Sequence, residues 1–332
     1  MILYVGKDRE LKTIAQGLEK AGQIGRRIKK AGENTEAAAC MDTEKTVLRI
    51  DPGFYHEKLE IDICGISLEG TGKCPEETVI DYDDYALQMM PDGIKRGTFR
   101  SYTVFLDAPY SSLYNLTIRN SAGPGKEKGQ AVALYAEGEG IVVNRCRLLG
   151  SQDTLFTGPL PEKEVEPGGF RGPKEFAPRV NGRQFYKDCY ICGGVDFIFG
   201  SATAFFENCV IESLDEGGGY VTAASTPRGQ KYGYVFDRCS FIGNEDKTNV
   251  YLGRPWREYA RTVIMNSYIG GHILPEGWDD WGKAKAHETS FYAEYENYGP
   301  GSPGPRADWC RRLSDEEAEE YSKRNVLGSF LY

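Results

Sequence analysis

Six stretches in the middle of the chain share a pattern in which apolar and polar residues alternate on either side of a central Cys, Asn or Ser. Alternation with a period of two residues is typical of β-strands, and the polar interruption indicates a turn. The stretches are YNLTIRNS (114–121), IVVNRCRLLG (141–150), RQFYKDCYICG (183–193), AFFENCVIES (204–213), YVFDRCSFIG (234–243) and RTVIMNSYIG (261–270). Each one predicts a short strand, a turn and a second strand.

Small residues occupy equivalent positions in these stretches, at spacings of 43, 20, 30 and 28 residues: Cys146, Cys189, Cys209, Cys239 and Ser267. Such an irregular period is typical of strand units that stack as the coils of a solenoid, with loops of unequal length leaving the coils. A free cysteine behaves mostly as a small buried hydrophobe. We therefore predict that these side chains face inward and stack from coil to coil.

The first residues of the chain predict a short helix. Four apolar residues share one helical face: Leu11, Ile14, Leu18 and Ala21. Gly22 lies where such a helix would end. Because solenoids need caps, we expect this helix to cover the open end of the first coil.

Two later segments depart from the strand pattern. The segment 157–182 contains five prolines and five glycines, so it predicts a long loop, and loops of this length are often functional. Near the C-terminus, the sequence Ser-Asp-Glu-Glu at 314–317 is a capping box. It predicts a charged helical segment at about 314–327 that packs on the outside and ends at Gly328.

Charge and composition exclude several classes of function. Lys and Arg total 40 against 49 Asp and Glu, a net charge of −9, which argues against non-specific binding to nucleic acid or to an anionic membrane. The start of the chain has no apolar run typical of a signal peptide, and nine cysteines, an odd number, do not suggest a disulfide framework. These features predict a cytoplasmic protein. With three histidines and no G-x-S-x-G sequence, a Ser-His-Asp hydrolase is poorly supported.

Polar residues interrupt apolar strands in four segments: GQAVAL (129–134), GSQDTL (150–155), VDFIFG (195–200) and YLGRPW (251–256). If neighbouring coils stack in register, these segments meet on one face. Each polar residue also has a structural explanation. Gln130 and Gln152 suit stacked amide ladders, Asp153 suits a turn, and Arg254 suits a structural partner of Asp196.

The combination of motifs, in this order, resembles the pectin methylesterases. The runs GQAVAL, GSQDTLF, VDFIFGSATAFFENC, YLGRPWREYARTV and PEGW (275–278) carry the resemblance, which extends over nearly the whole chain. It implies an all-β fold, a right-handed parallel β-helix, in one domain that spans 1–332. It also implies methylated pectin or methylated oligogalacturonides as the substrate and no metal or cofactor. The oligomeric state stays open.

The resemblance implies a role for each polar residue. Asp196 would be the nucleophile that attacks the methyl-ester carbonyl, and Asp153 the general acid that protonates methanol and then the base that activates water. Gln130 and Gln152 would donate hydrogen bonds to the oxyanion, and Arg254 would hold Asp196 ionised.

Three aromatic residues are the candidates for contact with the sugar rings: Trp256, Phe197 and Trp278. Trp281 and Trp309 could equally pack under the C-terminal segment. The chain departs from plant members at Gly129, Ser151 and Gly194, and its loop at 157–182 replaces a shorter connection. We expect this loop to wall one side of the cleft and to favour short substrates.

Three other functions fit the same pattern. Paired carboxylates could cleave a glycosidic bond. A calcium-dependent lyase could share the solenoid, although a cluster of carboxylate ligands is not evident. A non-catalytic sugar-binding solenoid is the third alternative, because fold alone does not determine function.

Overall fold

The structure is a computed structural model that describes residues 1–29 and 45–331. Its strands form three parallel sheets. The first sheet contains β1 (Ile2–Val5), β2 (Val47–Ile50), β5 (Ser67–Gly70), β8 (Ser112–Tyr114), β11 (Ile141–Asn144), β14 (Arg183–Lys187), β17 (Thr203–Glu207), β20 (Tyr234–Asp237), β23 (Arg261–Met265), β25 (Phe291–Tyr295) and β26 (Arg311–Arg312). The second contains β3 (Gly53–His56), β6 (Thr78–Tyr82), β9 (Thr117–Asn120), β12 (Arg147–Leu149), β15 (Tyr190–Gly193), β18 (Val210–Ser213), β21 (Ser240–Ile242) and β24 (Tyr268–Ile269). The third contains β4 (Leu59–Ile61), β7 (Val104–Asp107), β10 (Leu134–Glu137), β13 (Leu155–Thr157), β16 (Val195–Gly200), β19 (Gly219–Ala224) and β22 (Val250–Gly253).

The chain visits the sheets in a fixed order. From β2 to β24 it passes from the first sheet to the second, then to the third, and back to the first. Each strand therefore pairs with the strand one coil further on, for example β11 with β14 and β14 with β17. This arrangement is the predicted right-handed parallel β-helix, and the six sequence stretches supply the first-sheet and second-sheet strands of successive coils.

A single left-handed residue makes the corner between the first and second sheets. Its φ lies between 51° and 54° in six coils, at Asn115, Arg145, Asp188, Asn208, Arg238 and Asn266. Asn and Asp tolerate this conformation better than most residues. In the last five of these coils the next residue is one of the predicted small residues, and these are 0–2% exposed. The inward stacking of Cys146, Cys189, Cys209, Cys239 and Ser267 is thus confirmed.

The N-terminal helix α1 (Ile14–Lys29) covers the first coil, as predicted, with Ile14, Leu18 and Ala21 buried against the core. Its bounds differ from the prediction. Leu11 precedes the helix and forms a bridge with Val5, and the helix continues through Gly22. A glycine inside a helix costs only about 1 kcal/mol relative to alanine, which a well-packed face can offset.

Among residues 45–331, four short α-helices follow: α2 (Gly125–Lys128), α3 (Ala286–Thr289), α4 (Asp315–Glu319) and α5 (Lys323–Leu327). The predicted C-terminal segment is therefore two helices with a break between them. Its capping box is confirmed, since Ser314 Oγ accepts from the Glu317 amide at 3.3 Å and the Glu317 carboxylate accepts from the Ser314 amide at 2.9 Å. Gly328, with a φ of 63°, ends α5, and the segment packs on the outside of the first sheet.

The predicted loop contains no helix or strand between β13 and β14. It is nevertheless tightly organised by its own contacts. The Arg179 guanidinium donates to the backbone carbonyls of Pro161, Lys174, Glu175 and Ala177. Lys174 Nζ anchors the loop on the third sheet, with Asp107 oxygens at 2.9 and 3.0 Å and a Glu137 oxygen at 3.5 Å.

The cysteines give one result that the sequence did not predict. Cys64 is disulfide-bonded, and disulfides persist mainly in oxidising compartments. We expected no C-x-x-C pair from the sequence, but Cys189 and Cys192 have this spacing; both are free, buried thiols. The cytoplasmic location stays a prediction. Within the described ranges, no helix is both long and apolar enough to cross a membrane.

Candidate active site

The third sheet brings the polar segments together because its strands stack in register. Leu155 of β13 pairs with Leu134 of β10 on one side and with Ile198 of β16 on the other. Ile198 pairs with Thr222 of β19, which pairs with Gly253 of β22. The predicted catalytic side chains lie just before or after these paired positions. All of them line one cleft of about 330 Å³: Gln130, Gln152, Asp153, Asp196 and Arg254.

A β-bulge points Asp196 into this cleft. Three residue steps on β16, from Val195 to Ile198, lie opposite two steps on β19, from Tyr220 to Thr222. Asp196 adopts a φ of 49°, an uncommon value that aspartate tolerates better than most residues. Asp153 has a φ of 64°, so both carboxylates lie on backbone that departs from a regular strand.

Arg254 binds both oxygens of Asp196. Its Nε lies 2.8 Å from Oδ1 and its Nη2 lies 2.7 Å from Oδ2, the two-bond geometry in which a guanidinium matches a carboxylate best. The guanidinium carbon also lies 3.7 Å from the ring centre of Tyr220 and 3.7 Å from that of Trp281. These rings hold the guanidinium in place, and the guanidinium fixes the direction of the Asp196 side chain.

Asp153 has a different environment from Asp196. It is 7% exposed, and its carboxyl group makes no hydrogen bond or ion pair with any residue in the described part of the chain. Burial, and secondarily the charge of Asp196, raise the pKa of Asp153 well above its usual value. Burial also raises the pKa of Asp196, but the hydrogen bonds and charge of Arg254 oppose that rise. Asp196 is therefore the carboxylate that ionises more readily.

The two glutamines stand at the edge of the cleft with their amides available. The backbone carbonyl of Gln130 accepts from the backbone amide of Ala86 at 2.8 Å, and the backbone carbonyl of Gln152 accepts from the backbone amide of Ala131 at 3.0 Å. These backbone bonds fix where each side chain emerges. Among the residues that the structure describes, neither side-chain amide has a hydrogen-bond partner, so both can donate to a group that enters the cleft.

Trp256 lies in the cleft, where the sequence predicts it. Its indole belongs to an aromatic cluster, with the ring of Phe199 at 5.7 Å and that of Phe99 at 6.4 Å. Phe170, from the long loop, approaches it edge-on at 6.3 Å. A half-buried indole beside the two carboxylates offers an apolar surface to a sugar ring, and its contact with substrate stays a prediction.

Phe197 and Trp278 do not reach the cleft, so the structure corrects the prediction that they contact substrate. Phe197 is 0% exposed, because the bulge turns both it and Ile198 into the interior of the β-helix. Phe199 lines the cleft in its place. Trp278 is 2% exposed and stacks on Tyr292 at 4.4 Å inside the last coils.

Two further residues of the site were not assigned from the sequence. Trp281 lines the cleft and does not pack under the C-terminal segment; its position three residues after the PEGW motif is the only signal in the sequence. Lys283 Nζ lies 4.2 Å from the ring centre of Trp281 and donates to the Pro255 carbonyl at 2.6 Å. Burial, with the charges of Arg257 and Arg254, lowers the pKa of Lys283 to about 8.

The long loop forms one wall of the cleft, as expected. Val165, Glu166, Gly169 and Phe170 line it. The loop thus joins the aromatic cluster around Trp256 and narrows the space beside the carboxylates. Its effect on substrate length stays a prediction.

The charged groups of the site do not suggest a metal centre. Within residues 1–29 and 45–331, no group of three or more His, Cys, Asp or Glu side chains could hold a metal ion. The independence of the reaction from a metal or cofactor stays a prediction.

Comparison with known families gives a match over most of the chain. The family model described as Pectinesterase matches residues 21–160 and 179–329. It leaves out residues 161–178, which lie inside the long loop. The chain is 34% identical over 286 residues to Pectinesterase 31 of Arabidopsis thaliana, covering 84% of this chain and 82% of the relative. It is 33% identical to the putative pectinesterase/pectinesterase inhibitor 43 of the same plant, but spans only 38% of that protein's length.

Solved structures agree with the sequence match. The carrot pectin methylesterase superposes with a TM-score of 0.78 at 28% identity, covering 99% of this chain and 94% of that one. Pectin methylesterase PemA from Erwinia chrysanthemi gives a TM-score of 0.73 at 29% identity, covering 98% and 96%. A pectin methylesterase solved in complex with a hexasaccharide gives 0.75 at 29% identity, with the same coverage of 98% and 96%.

Proposed function

Because the chain belongs to the pectinesterase family, whose members hydrolyse the methyl esters of pectin, we propose that it does so through a covalent intermediate on Asp196. The observation that supports this role is the difference between the two carboxylates of the cleft. Arg254 binds both oxygens of Asp196, whereas Asp153 has no such partner in the described structure. One carboxylate is thus prepared as an anion and the other as an acid, the pairing that acid–base chemistry at one site requires.

The first step is attack on the ester. An Asp196 oxygen forms a bond to the ester carbonyl carbon, and the carbonyl oxygen takes the electron pair as an oxyanion. The free amides of Gln130 and Gln152 donate to this oxygen. A donor of this kind typically contributes about 3–4 kcal/mol of transition-state stabilisation. The guanidinium holds Asp196 in one orientation before attack.

The second step releases methanol. The bond between the carbonyl carbon and the methoxy oxygen breaks, and the proton of Asp153 passes to that oxygen, which leaves an anhydride between substrate and Asp196. The pKa of Asp153 is raised, first because of its burial, so the carboxyl group stays protonated until it transfers the proton to the methoxy oxygen. Asp153, now a base, takes a proton from water, which attacks the anhydride and restores Asp196.

We also propose that short methylated oligogalacturonides are better substrates than polymeric pectin. The support is the loop 161–178, which walls the cleft with Val165 and Phe170 and which the family model does not include. A cleft of about 330 Å³ is at the small end of the usual range for ligand sites, about 300–1,000 Å³.

Measuring two products at once tests the proposed reaction. Methanol and new reducing ends are followed during incubation with methylated trigalacturonate and with methylated pectin. The proposal predicts methanol without new reducing ends from both substrates, and a higher kcat/KM for the trimer. Reducing ends without methanol would indicate a glycosidase or a lyase, and neither product would indicate a non-catalytic sugar-binding protein.

A further inference from the structure

Ser151, the residue directly before Gln152, joins two segments beside the cleft. Its Oγ accepts from the backbone amide of Gly125 at 2.8 Å and donates to Glu216 Oε1 at 2.6 Å. A backbone amide can only donate, so the hydroxyl proton of Ser151 is the one that points at the carboxylate. Ser151 is buried, and little water competes for either bond. Glu216 therefore orients the hydroxyl that holds the start of helix α2.

Helix α2 packs against one glutamine of the site and leads into the other. A Cβ added to Gly125, its first residue, would lie only 2.7 Å from the Cβ of Gln152. The backbone of α2 thus lies directly on Gln152 and restricts the space open to that side chain. At the other end of α2 the amide of Gly129 donates to the Gly125 carbonyl at 2.8 Å, and Gln130 follows. A shift of Gly125 would therefore reach both glutamines.

Glu216 reaches Ser151 across Gly194, which lies two residues before Asp196. A Cβ added to Gly194 would lie 2.6 Å from Glu216 Oε2 and 2.9 Å from the carboxylate carbon. The Gly194 amide also donates to the Ser151 carbonyl at 2.7 Å, which holds the two backbone segments together. The lack of a side chain at Gly194 therefore leaves the room that the Glu216 carboxylate occupies.

We propose that Glu216 is a positioning residue for the oxyanion donors, because through Ser151 and α2 it holds Gln152 and Gln130 in place. The assignment rests on the proposed esterase function, in which these two amides stabilise the oxyanion. Glu216 is not one of the residues that line the cleft, so it acts through the glutamines. Its effect should appear in kcat and not in KM, because the oxyanion develops only after the ester is attacked.

Steady-state methanol release from methylated trigalacturonate tests this role. In Glu216→Ala, kcat should fall by about 10- to 50-fold with KM within about twofold of wild type, because a displacement of about 1 Å in a catalytic group can cost about 100-fold in rate. Glu216→Gln keeps an oxygen that can accept from Ser151 and should recover most of kcat. Gly194→Ala should also lower kcat, because the added methyl group displaces the carboxylate.

A double substitution separates positioning from a general effect on the fold. If Glu216 acts through the glutamines, its replacement matters less once a glutamine is gone. In a Gln152→Ala background, Glu216→Ala should therefore lower kcat by no more than about threefold.

Glu69→Ala is the matched control. Glu69 also accepts from a serine hydroxyl, Ser67 Oγ at 3.2 Å, but on strand β5 of the first sheet, and its replacement should leave kcat within about twofold of wild type. An unchanged kcat in Glu216→Ala, or the same fall in kcat with and without Gln152, would overturn the positioning role. Failure of the esterase function would appear separately, as absence of methanol release by the wild-type protein.

Discussion

Arg254 and Asp196 form a two-bond ion pair, with donor–acceptor distances of 2.8 and 2.7 Å, between residues that are 58 positions apart in the chain. The pair exists because β16 and β22 lie two coils apart in one parallel sheet, with β19 between them. Asp153, one coil before Asp196, is left as the acid. The division of roles in the site therefore follows from the order of strands in the third sheet.

Replacement of Arg254 tests what the guanidinium does for the nucleophile. In Arg254→Gln the pKa of Asp196 should rise, because burial is no longer opposed by a cation, and the acid limb of kcat/KM should move to higher pH. Loss of a charge-assisted pair worth about 1.5–3 kcal/mol predicts a fall in kcat/KM of about 10- to 100-fold. Arg254→Lys should restore the position of the acid limb but little of the rate. An acid limb at the wild-type pH in Arg254→Gln would contradict this role.

The burial of Asp153 predicts a cost in stability. Its folded pKa lies above its unfolded value, so the folded state binds the proton more tightly, and stability falls as pH rises through the interval between the two values. Asp153→Asn removes this cost. We expect its Tm at pH 7 to exceed that of wild type by about 2–4 °C, with loss of activity, and the difference in Tm to shrink at pH 4. The same difference in Tm at both pH values would show that proton binding by Asp153 is not its cause.

Breaking the ion pairs of Lys174 tests whether the long loop affects the choice of substrate. It joins the loop to Asp107 and Glu137, and Lys174→Met should release the loop from the third sheet. The ratio of kcat/KM for methylated pectin to that for methylated trigalacturonate should rise at least about threefold, and proteolysis within 158–182 should become faster.

Lys231→Met is the control for the loop experiment. Lys231 also forms an ion pair, with Glu320 at 2.9 Å, but on the outer surface, so both readouts should stay at wild-type values. Faster proteolysis of Lys174→Met without a change in the substrate ratio would show that the loop does not select for length.

Trp256 and Trp278 were both predicted to contact the sugar rings, but substitutions at these two positions should have different effects. Trp256→Phe should raise the KM for methylated oligomers with little effect on the Tm, because its indole faces the cleft. Trp278→Phe should lower the Tm and leave KM close to wild type, because its indole is 2% exposed and donates to Glu294 at 3.2 Å. A larger rise in KM for Trp278→Phe than for Trp256→Phe would reverse this assignment.

Much of the fold could be predicted from the sequence because the β-helix repeats. Five of the six corners place a left-handed residue before an inward small residue, so one local pattern, such as Arg145 followed by Cys146, recurs along the chain. The meeting of Gln130, Asp153 and Asp196 followed from the stacking of those coils. Local capping signals likewise indicated that the C-terminal helical segment begins at Ser314 and ends at Gly328.

What the sequence did not show depends on tertiary packing. The bulge at Asp196 changes the alternation of strand β16, and a regular strand gives no sign that Phe197 and Ile198 both turn inward. The contact between the Arg254 guanidinium and the ring of Trp281 could not be predicted, because Trp281 belongs to a turn of the following coil. Gly22 did not end the helix, because the packing of Ala21 on the core outweighs the local preference of one glycine.

The role of Asp196 as the nucleophile is tested by methanol release from methylated trigalacturonate by Asp196→Ala. It is measured beside wild type and beside Arg145→Gln, a control substitution at an exposed arginine on a corner between the first and second sheets. A Tm within a few degrees of wild type would show that the variant is folded. We expect kcat to fall by at least about a thousandfold in Asp196→Ala, because the covalent intermediate cannot form, whereas Arg145→Gln should retain wild-type kcat. Methanol release by a folded Asp196→Ala protein within about tenfold of wild type would contradict the assignment of Asp196 as the nucleophile.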